Sequence, residues 1–386
     1  MKTRRRRVSA FFATIVLSYA AMQFYAVYKI SAGAGLAPEA VAGLVAWVVL
    51  MTSMPFLLWR LEHAGWHRPV VAGAWVGYVW MGLVFLFFWV ALALDLFDGA
   101  VRIASTVLHA DYSAYLPSPW HGFLLTTGLT LVLAGYGIAA ARRRRVEHIV
   151  LSSPKLPAGT KPLRIAQISD VHLGAIIGAR RLRGILEKIR MLEPDVLVST
   201  GDLLDGQADH LDGLAQIFQG IQPRLGKFAV TGNHEFYVGH TRAVDFTRRC
   251  GFTVLAGEAA ALTPHVVLAG VDDPTGRRMG VTPDCDEAAL VAAQPRERFT
   301  VLLKHQPVVE ARAAGLFDLQ LSGHVHQGQI FPFGLLVRLA YPVRAGLTRL
   351  APQGWIYVSR GTGTWGPPMR VFAPPEITLI EIKPAQ

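Results

Sequence analysis

The sequence predicts two parts, a group of membrane-spanning helices followed by an α/β domain. Of the 386 residues, 52% are hydrophobic and only 17% are charged, which is too apolar for an evenly composed soluble protein. The apolar residues are concentrated in the first 145 residues, in runs long enough to cross a bilayer. From residue 163 onwards, short apolar runs alternate with amphipathic ones, as in α/β folds. We therefore expect a membrane domain over residues 1–145, a linker over 146–162 and an α/β domain over 163–386.

Four apolar stretches in the first part are long enough for transmembrane helices, which need about 20 residues each. They cover residues 8–30, 40–59, 69–94 and 120–141. The first follows the basic run RRRRVSAFF, a feature shared with twin-arginine signal peptides. Its apolar run is longer than that of a cleaved signal, and further spans follow it. We therefore expect four transmembrane helices, the first of them retained as an anchor.

The basic residues of this part predict its orientation. Lys and Arg number 13 against 5 Asp and Glu in residues 1–145. Most of these cations precede the first span, separate the second from the third, or form the run of arginines at 142–145. Because cytoplasmic loops are enriched in Lys and Arg, we expect both ends of the membrane domain, and the α/β domain, on the cytoplasmic side of the inner membrane.

Apolar runs in the second part predict buried strands. Six of them cover residues 163–169, 195–200, 227–231, 266–271, 299–304 and 319–322, and two more lie at 355–359 and 376–382. Amphipathic stretches at 179–192, 210–221 and 241–250 predict helices between the strands. The alternation predicts layered sheets covered by helices.

Five polar clusters directly follow predicted strands. They are SDVH at 169–172, GDLLD at 201–205, GNHE at 232–235, KHQP at 304–307 and GHVH at 323–326. Because the carboxyl ends of parallel strands line a common crevice, we expect these clusters to converge. The candidate metal ligands are Asp170, His172, Asp202, Asn233, His305, His324 and His326. Oxygen and imidazole ligands without a thiolate suit Mn, Fe, Zn or Ni better than a structural zinc site.

No single cluster identifies the site, because a lone loop histidine is most often a hydrogen-bonded surface residue. Two of the clusters are more specific than the rest. Gly232 allows close backbone approach beside Asn233, whose amide oxygen suits a cation. His324 and His326 are two residues apart, so in an extended strand both side chains would share one face and reach one site.

The ordered motifs DxH, GDxxD, GNHE, H and GHxH resemble those of the calcineurin-like metallophosphoesterase superfamily, over residues 163–382. The resemblance implies a four-layer α/β/β/α sandwich with two divalent metal ions. It implies that one metal is held by Asp170, His172 and His326. It implies that the other is held by Asn233, His305 and His324. Asp202 would bridge the two metals.

The same resemblance implies a hydrolytic mechanism. A hydroxide bridging the two metals would attack the phosphorus, while the metals hold the phosphoryl oxygens. His234 resembles the histidine that protonates the leaving group without binding metal. Asp205 would orient a loop or a histidine from behind the ligands.

The carboxyl-terminal sequence narrows the expected substrate. It is most similar to a bacterial membrane-associated branch of the superfamily, whose members include hydrolases of lipid phosphoesters and pyrophosphates. We therefore favour a phosphodiester or pyrophosphate carried on a lipid, with membrane lipids as neighbours of the domain. The apolar stretch at 328–350 either dips into the membrane interface or packs on the domain as an insert. Arg360 either contacts substrate phosphate or forms a structural salt bridge.

Two alternatives of other kinds stay open. The first is a nuclease or cyclic-nucleotide phosphodiesterase with the same metal site. Nucleic acid is disfavoured as a partner because the chain beyond residue 145 carries only 25 basic against 22 acidic residues. The second is a non-catalytic membrane sensor or transport component. Against it, all five motifs keep their ligand residues, and the spans lack buried charges in their middle.

Overall fold

The computed structural model describes residues 2–206, 212–351 and 353–385, except for the side chains of residues 2–12 and 212. The chain forms two compact units. One comprises Met1–Ile138 with Pro367–Met369, and the other comprises Ala139–Gly366 with Arg370–Gln386.

The chain begins with four long helices, whose bounds are α1 Lys2–Ala34, α2 Pro38–His63, α3 His67–Val107 and α4 Pro119–Arg142. Among the described residues, three segments are long and apolar enough to cross a membrane, namely Pro38–His63, His67–Val107 and Ser113–Arg142. The structure thus supports three of the four predicted spans. The remaining stretch, residues 8–30, lies within α1, and its first side chains fall outside the described residues.

Polar contacts between side chains connect α1 with α2 and α3. The Gln23 side chain is fully buried; its Nε2 donates to Thr52 Oγ1 at 2.7 Å and its Oε1 accepts from Trp80 Nε1 at 2.7 Å. Near the end of α1, Lys29 Nζ lies 2.5 Å from a carboxylate oxygen of Asp95. Because polar groups in apolar surroundings are costly unless hydrogen-bonded, these contacts fix the register of the three helices.

The second unit is built on twelve strands. They are β1 Arg145–Ser153, β2 Leu163–Ile168, β3 Val196–Ser199, β4 Lys227–Ala229, β5 Thr253–Val254, β6 Glu258–Thr263, β7 Val266–Gly270, β8 Phe299–Leu303, β9 Leu319–Ser322, β10 Gly346–Arg349, β11 Trp355–Val358 and β12 Glu376–Pro384. Its helices are α5 Ala179–Met191, α6 Asp212–Gln219, α7 Asn233–Tyr237, α8 His240–Arg249, α9 Pro274–Met279, α10 Glu287–Ala292 and α11 Phe333–Ala340.

These strands form two six-stranded sheets. The first has the order β1-β12-β2-β3-β4-β5 and the second has the order β10-β11-β9-β8-β7-β6. The strands β2 to β5 are mutually parallel, as are β7, β8, β9 and β11. The predicted α/β domain with two sheets is confirmed.

The buried residues form cores on both faces of the sheets. Ile165 and Val301, from different sheets, belong to the core between them. Ala166 points the other way and belongs to the core that the first sheet forms with α5, α6 and α8. Leu302 likewise belongs to the core that the second sheet forms with α10. Each sheet is therefore covered by helices on its outer face.

The structure differs from the predicted boundaries at residues 146–162. Residues 146–153 of this predicted linker belong to β1, which pairs in parallel with β12. Only Leu151 and Ser153 are buried in this strand, so it lacks the apolar run that marks a central strand. The unpredicted strands β6 and β10 also lie at sheet edges, where β6 is half exposed and β10 is mostly half-buried. The predicted helix at 210–221 corresponds to α6, and its first two residues lie outside the described residues.

Candidate metal centre

The five predicted clusters all follow strands in the interior of the two sheets. Asp170, Asp202 and Asn233 come after β2, β3 and β4, which are neighbours in the first sheet. His305 and the pair of histidines at 324 and 326 come after β8 and β9, which are neighbours in the second sheet. Parallel pairing places the carboxyl ends of neighbouring strands on one edge, so the seven candidate ligands converge as predicted.

Three of these residues form a first group of ligand atoms. Asp170, His172 and His326 are buried, and one ligand atom from each lies within 4.8 Å of the others. His172 Nε2 is 3.1 Å from His326 Nε2, which is 3.3 Å from Asp170 Oδ1. Nitrogens that face each other at this distance are arranged as neighbouring ligands of a metal ion are.

A second group lies beside the first. Asp202, His305 and His324 also place their ligand atoms within 4.8 Å of one another. His305 Nε2 is 3.1 Å from His324 Nδ1 and 3.2 Å from Asn233 Oδ1. The same nitrogen is 3.2 Å from Asp202 Oδ2. This oxygen is also 3.8 Å from His172 Nε2, so Asp202 lies between the two groups.

The charges in the centre fit a pair of cations. Burial, with the nearby His234, lowers the pKa of His172 to about 3, and burial with the nearby His305 lowers that of His324 to about 4. Both rings are therefore neutral near pH 7, the state in which imidazole binds metal. Burial alone would lower the pKa of His305, but Asp202 raises it well above the usual range. The Nδ1 atom of His305 is hydrogen-bonded to Thr200 O at 2.8 Å, so its Nε2 atom is the one that faces Asp202. The negative charge of Asp202 therefore favours a positive charge at this position.

The candidate ligands have unusual backbone conformations. Ten described residues other than glycine have a positive φ, and five of these are candidate ligands. They are Asp170 (52°), His172 (52°), Asp202 (52°), His324 (73°) and His326 (47°). Such conformations are disfavoured for L-residues and occur preferentially at functional sites. His324 and His326 are therefore left-handed, with the right-handed Val325 between them (φ −83°, ψ −14°), instead of the extended strand that was predicted, and the two histidines point to different groups of ligands.

Two glycines allow the loops to meet. A Cβ atom on Gly323 would lie 1.9 Å from Ser169 Oγ and 2.3 Å from Asp170 Oδ2. A Cβ atom on Gly232 would lie 2.2 Å from Asp202 Oδ1. Any side chain at these positions would displace a candidate ligand, as the close approach predicted for GNHE requires.

His234 lies at the edge of the centre. Its Nδ1 is 3.2 Å from Asp205 Oδ1, and its side chain is 12% exposed. Burial alone would lower the pKa of His234, but the charge of Asp202 and the hydrogen bond to Asp205 raise it to about 9. The ring is therefore a cation near pH 7 and can donate a proton. The exposed rings of Tyr237 and Trp365 flank it, with centroids 5.4 Å and 5.8 Å away.

A third group of possible ligands consists of His172, Asp205 and His234. It shares His172 with the first group, and the Nε2 of this residue faces His326. The remaining contact, His234 with Asp205, is that of a protonated imidazole held by a carboxylate. This contact is compatible with the roles predicted for His234, proton transfer, and for Asp205, orienting it, and both roles stay predictions.

Glu235 is a positioning residue that the sequence reasoning did not single out. Its buried carboxylate accepts from the backbone N–H groups of Gly232 at 2.6 Å and Asp202 at 3.0 Å. It also accepts from Leu203 at 2.8 Å and Leu204 at 3.2 Å. One side chain thus fixes the loops of Asp202 and Asn233 together. The one signal for this role in the sequence is the position of Glu235 as the last residue of the GNHE cluster.

We expect Glu235→Gln to weaken the centre without touching a ligand. An amide can point only one oxygen at four N–H donors, so its NH₂ group faces a donor, at a cost of about 1–3 kcal/mol per unsatisfied group. Thermal unfolding and metal content of the purified variant measure the effect, with the exposed Glu297→Gln as control. Equal metal content in both variants would contradict this role.

Three other contacts complete the surroundings of the ligands. The buried Arg370 donates to the backbone oxygen of His326 at 3.0 Å and thereby holds the turn. Tyr341 Oη lies 2.9 Å from His324 Nε2, which leaves the Nδ1 atom of His324 facing His305 in the second group. Arg360 pairs with Glu147 and, at 2.5 Å, with Glu376. Of the two roles considered for Arg360, the structure supports the salt bridge.

Known proteins share this sequence pattern. A family model for calcineurin-like phosphoesterases matches residues 163–328. An uncharacterized metallophosphoesterase of Aquifex aeolicus is 40% identical over 256 residues, which are 66% of this chain and 98% of that protein. A transmembrane protein with metallophosphoesterase domain from Danio rerio is 35% identical over 271 residues, 67% of this chain and 62% of that one. A solved dimetal phosphatase from Danio rerio matches with a TM-score of 0.34 at 12% identity, over 52% of this chain and 88% of that one.

The fold and the site therefore define a metal-dependent phosphoesterase. The chain belongs to the calcineurin-like phosphoesterase family. Its apolar helices indicate association with a membrane.

Proposed function

We propose that this chain is a membrane-anchored phosphoesterase that hydrolyses a phosphodiester or pyrophosphate bond of a lipid-linked substrate. The observation that carries the proposal is the position of Asp202 Oδ2, 3.2 Å from His305 Nε2 and 3.8 Å from His172 Nε2. A carboxylate between two sets of neutral or acidic ligands is suited to bridge two divalent cations.

The donor set supports the assignment of ligands. The first cation would be held by Asp170, His172 and His326, with Asp202 shared. The second would be held by Asn233, His305 and His324. Oxygen and imidazole donors fit Mn, Fe, Zn or Ni. When bound, two such cations supply a nucleophile from water near neutral pH and neutralise phosphoryl charge.

The residues of the chain perform the remaining steps. His234, held by Asp205, would donate its proton to the departing oxygen as negative charge grows there. Glu235 and Arg370 keep the ligand loops in place before substrate arrives. This preorganisation means that little reorganisation is needed during the reaction.

The proposal includes a topology. Three of the described segments are long and apolar enough to span a membrane, and we propose that residues 8–30 form a fourth span. With four spans and basic flanks at 2–7 and 142–145, both ends and the metal centre would lie on the cytoplasmic side of the inner membrane. A site tethered to a bilayer meets lipid-linked phosphoesters at high local concentration, which favours this substrate class.

The test is turnover by the purified full-length chain supplied with each metal. The panel contains a chromogenic phosphodiester, a phosphomonoester, UDP-diacylglucosamine and single-stranded DNA. We expect hydrolysis of the diester and of the lipid pyrophosphate, and none by the Asp202→Ala control. Preference for DNA would instead support the nuclease alternative. Activity on no substrate, with metals shown to be bound, would contradict the hydrolase function.

A further inference from the structure

The helix α11 has an inner side that packs on the domain and an outer side that is exposed. Val337 and Tyr341, four residues apart, pack with the buried Val325. Leu335, Leu336 and Leu339 are exposed, with Leu339 at 84%. At 100° per residue these leucines project from the side opposite Val337 and Tyr341. The helix is thus fixed by its inner side and presents leucines outward.

Two phenylalanines extend this apolar surface. Phe331 and Phe372 are both exposed, and their ring centroids are 6.0 Å apart. We call the surface made by Phe331, Leu335, Leu336, Leu339 and Phe372 the α11 face. A contiguous apolar patch of this kind on a folded domain is typical of an interaction site.

The border of the α11 face is basic. Residues 327–349 contain three arginines and no Asp or Glu. Among the described residues, neither Arg338 nor Arg344 forms an ion pair with a carboxylate. Both arginines line a cavity of about 190 Å³ together with Phe331, Leu335 and Val343. Arginines at the border of an exposed apolar helix are suited to phosphate groups of anionic lipids.

We propose that α11 docks on the surface of an anionic bilayer, with the leucines of the α11 face among the acyl chains and Arg338 and Arg344 at lipid phosphates. A bilayer is favoured over a second copy of the chain, because a symmetric contact through this face would bring two sets of arginines together. The inference rests on the proposed membrane anchoring. The contact of Tyr341 with His324 places this lipid-binding element directly against the metal centre.

The test uses spin labels on the full-length chain in nanodiscs. A label is placed at Leu339→Cys in a Cys285→Ser background, since Cys285 is exposed whereas Cys250 is buried. The matched control is a label at Met191→Cys on α5, a position that is 79% exposed. In nanodiscs of phosphatidylcholine with phosphatidylglycerol, we expect the label at 339 to be more accessible to oxygen than to a water-soluble nickel complex. The label at 191 should show the reverse.

The charged border is tested separately. We expect the Arg338→Gln, Arg344→Gln double variant to reduce the oxygen preference at 339 in the mixed nanodiscs, and to leave it unchanged in phosphatidylcholine alone. Water accessibility at 339 equal to that at 191 would overturn the inference. So would dipolar broadening that disappears on dilution with unlabelled chains, since it indicates a second copy on the face. The accessibility of the label does not depend on turnover, so this test can be interpreted even if the substrate proposal fails.

Discussion

Asp202→Ala is expected to lose both bound metal and turnover. The carboxylate lies between the two groups of ligands, so its removal takes a donor from each. The loss of metal affinity should exceed the about 10–100-fold that is typical for residues behind the ligands. Elemental analysis and turnover of the purified chain measure both effects. The exposed Asp245→Ala, on α8, serves as control.

A second variant separates metal loss from misfolding. Asp202 Oδ1 also accepts from the backbone N–H of His234 at 2.9 Å, so alanine removes a structural contact as well. Asp202→Asn keeps an oxygen for this N–H but removes the negative charge. We expect its metal-free form to retain the unfolding temperature of the metal-free parent chain, while the metal content of the variant falls. Normal metal content in both variants would refute the bridging role.

His234→Ala is expected to separate metal binding from catalysis. Because His234 Nδ1 is engaged by Asp205, the variant should keep its metals while turnover falls about 10²–10⁴-fold, the usual contribution of a general acid. Metal content and turnover are compared with those of His148→Ala, whose side chain is 51% exposed. A drop in metal content would instead assign His234 to the third group of possible ligands.

The pH profile gives an independent readout for His234. Its pKa is raised to about 9, so the ring is protonated below that pH and loses its proton as pH rises through it. Bound cations repel this charge and lower the pKa, so we expect the alkaline loss of activity below about pH 9. This alkaline limb should be absent from the profile of His234→Ala. An unchanged limb in the variant would show that another group titrates.

The sequence was sufficient to predict the strands that carry the site. Buried strands such as β2 and β8 are mostly apolar, and each ends directly at a polar cluster. Parallel pairing then determines where the clusters meet, so the convergence of the candidate ligands was predictable without coordinates. Edge strands such as β1 are mostly exposed, and they lack the apolar run on which the prediction depends.

The sequence was not sufficient to predict the local backbone at the ligands. An extended conformation was expected at 324–326, whereas His324 and His326 have φ values of 73° and 47°. The extended conformation is the one that residue propensity favours. The left-handed conformation is imposed by contacts from distant loops, such as the hydrogen bond that Asp170 accepts from the N–H of His324 at 3.0 Å. The role of Glu235 is equally non-local, since it accepts from residues more than thirty positions away.

The left-handed residues of the metal centre have a consequence for attempts to make this protein more heat-resistant. Each such residue lowers stability by on the order of 1–3 kcal/mol relative to a relaxed backbone. Glycine would relieve this strain, but at a buried position such as Asp170 it would also remove the carboxylate that accepts from the N–H of His324. Stabilising substitutions are therefore better sought outside these loops, where a more relaxed backbone is gained without the loss of a candidate ligand.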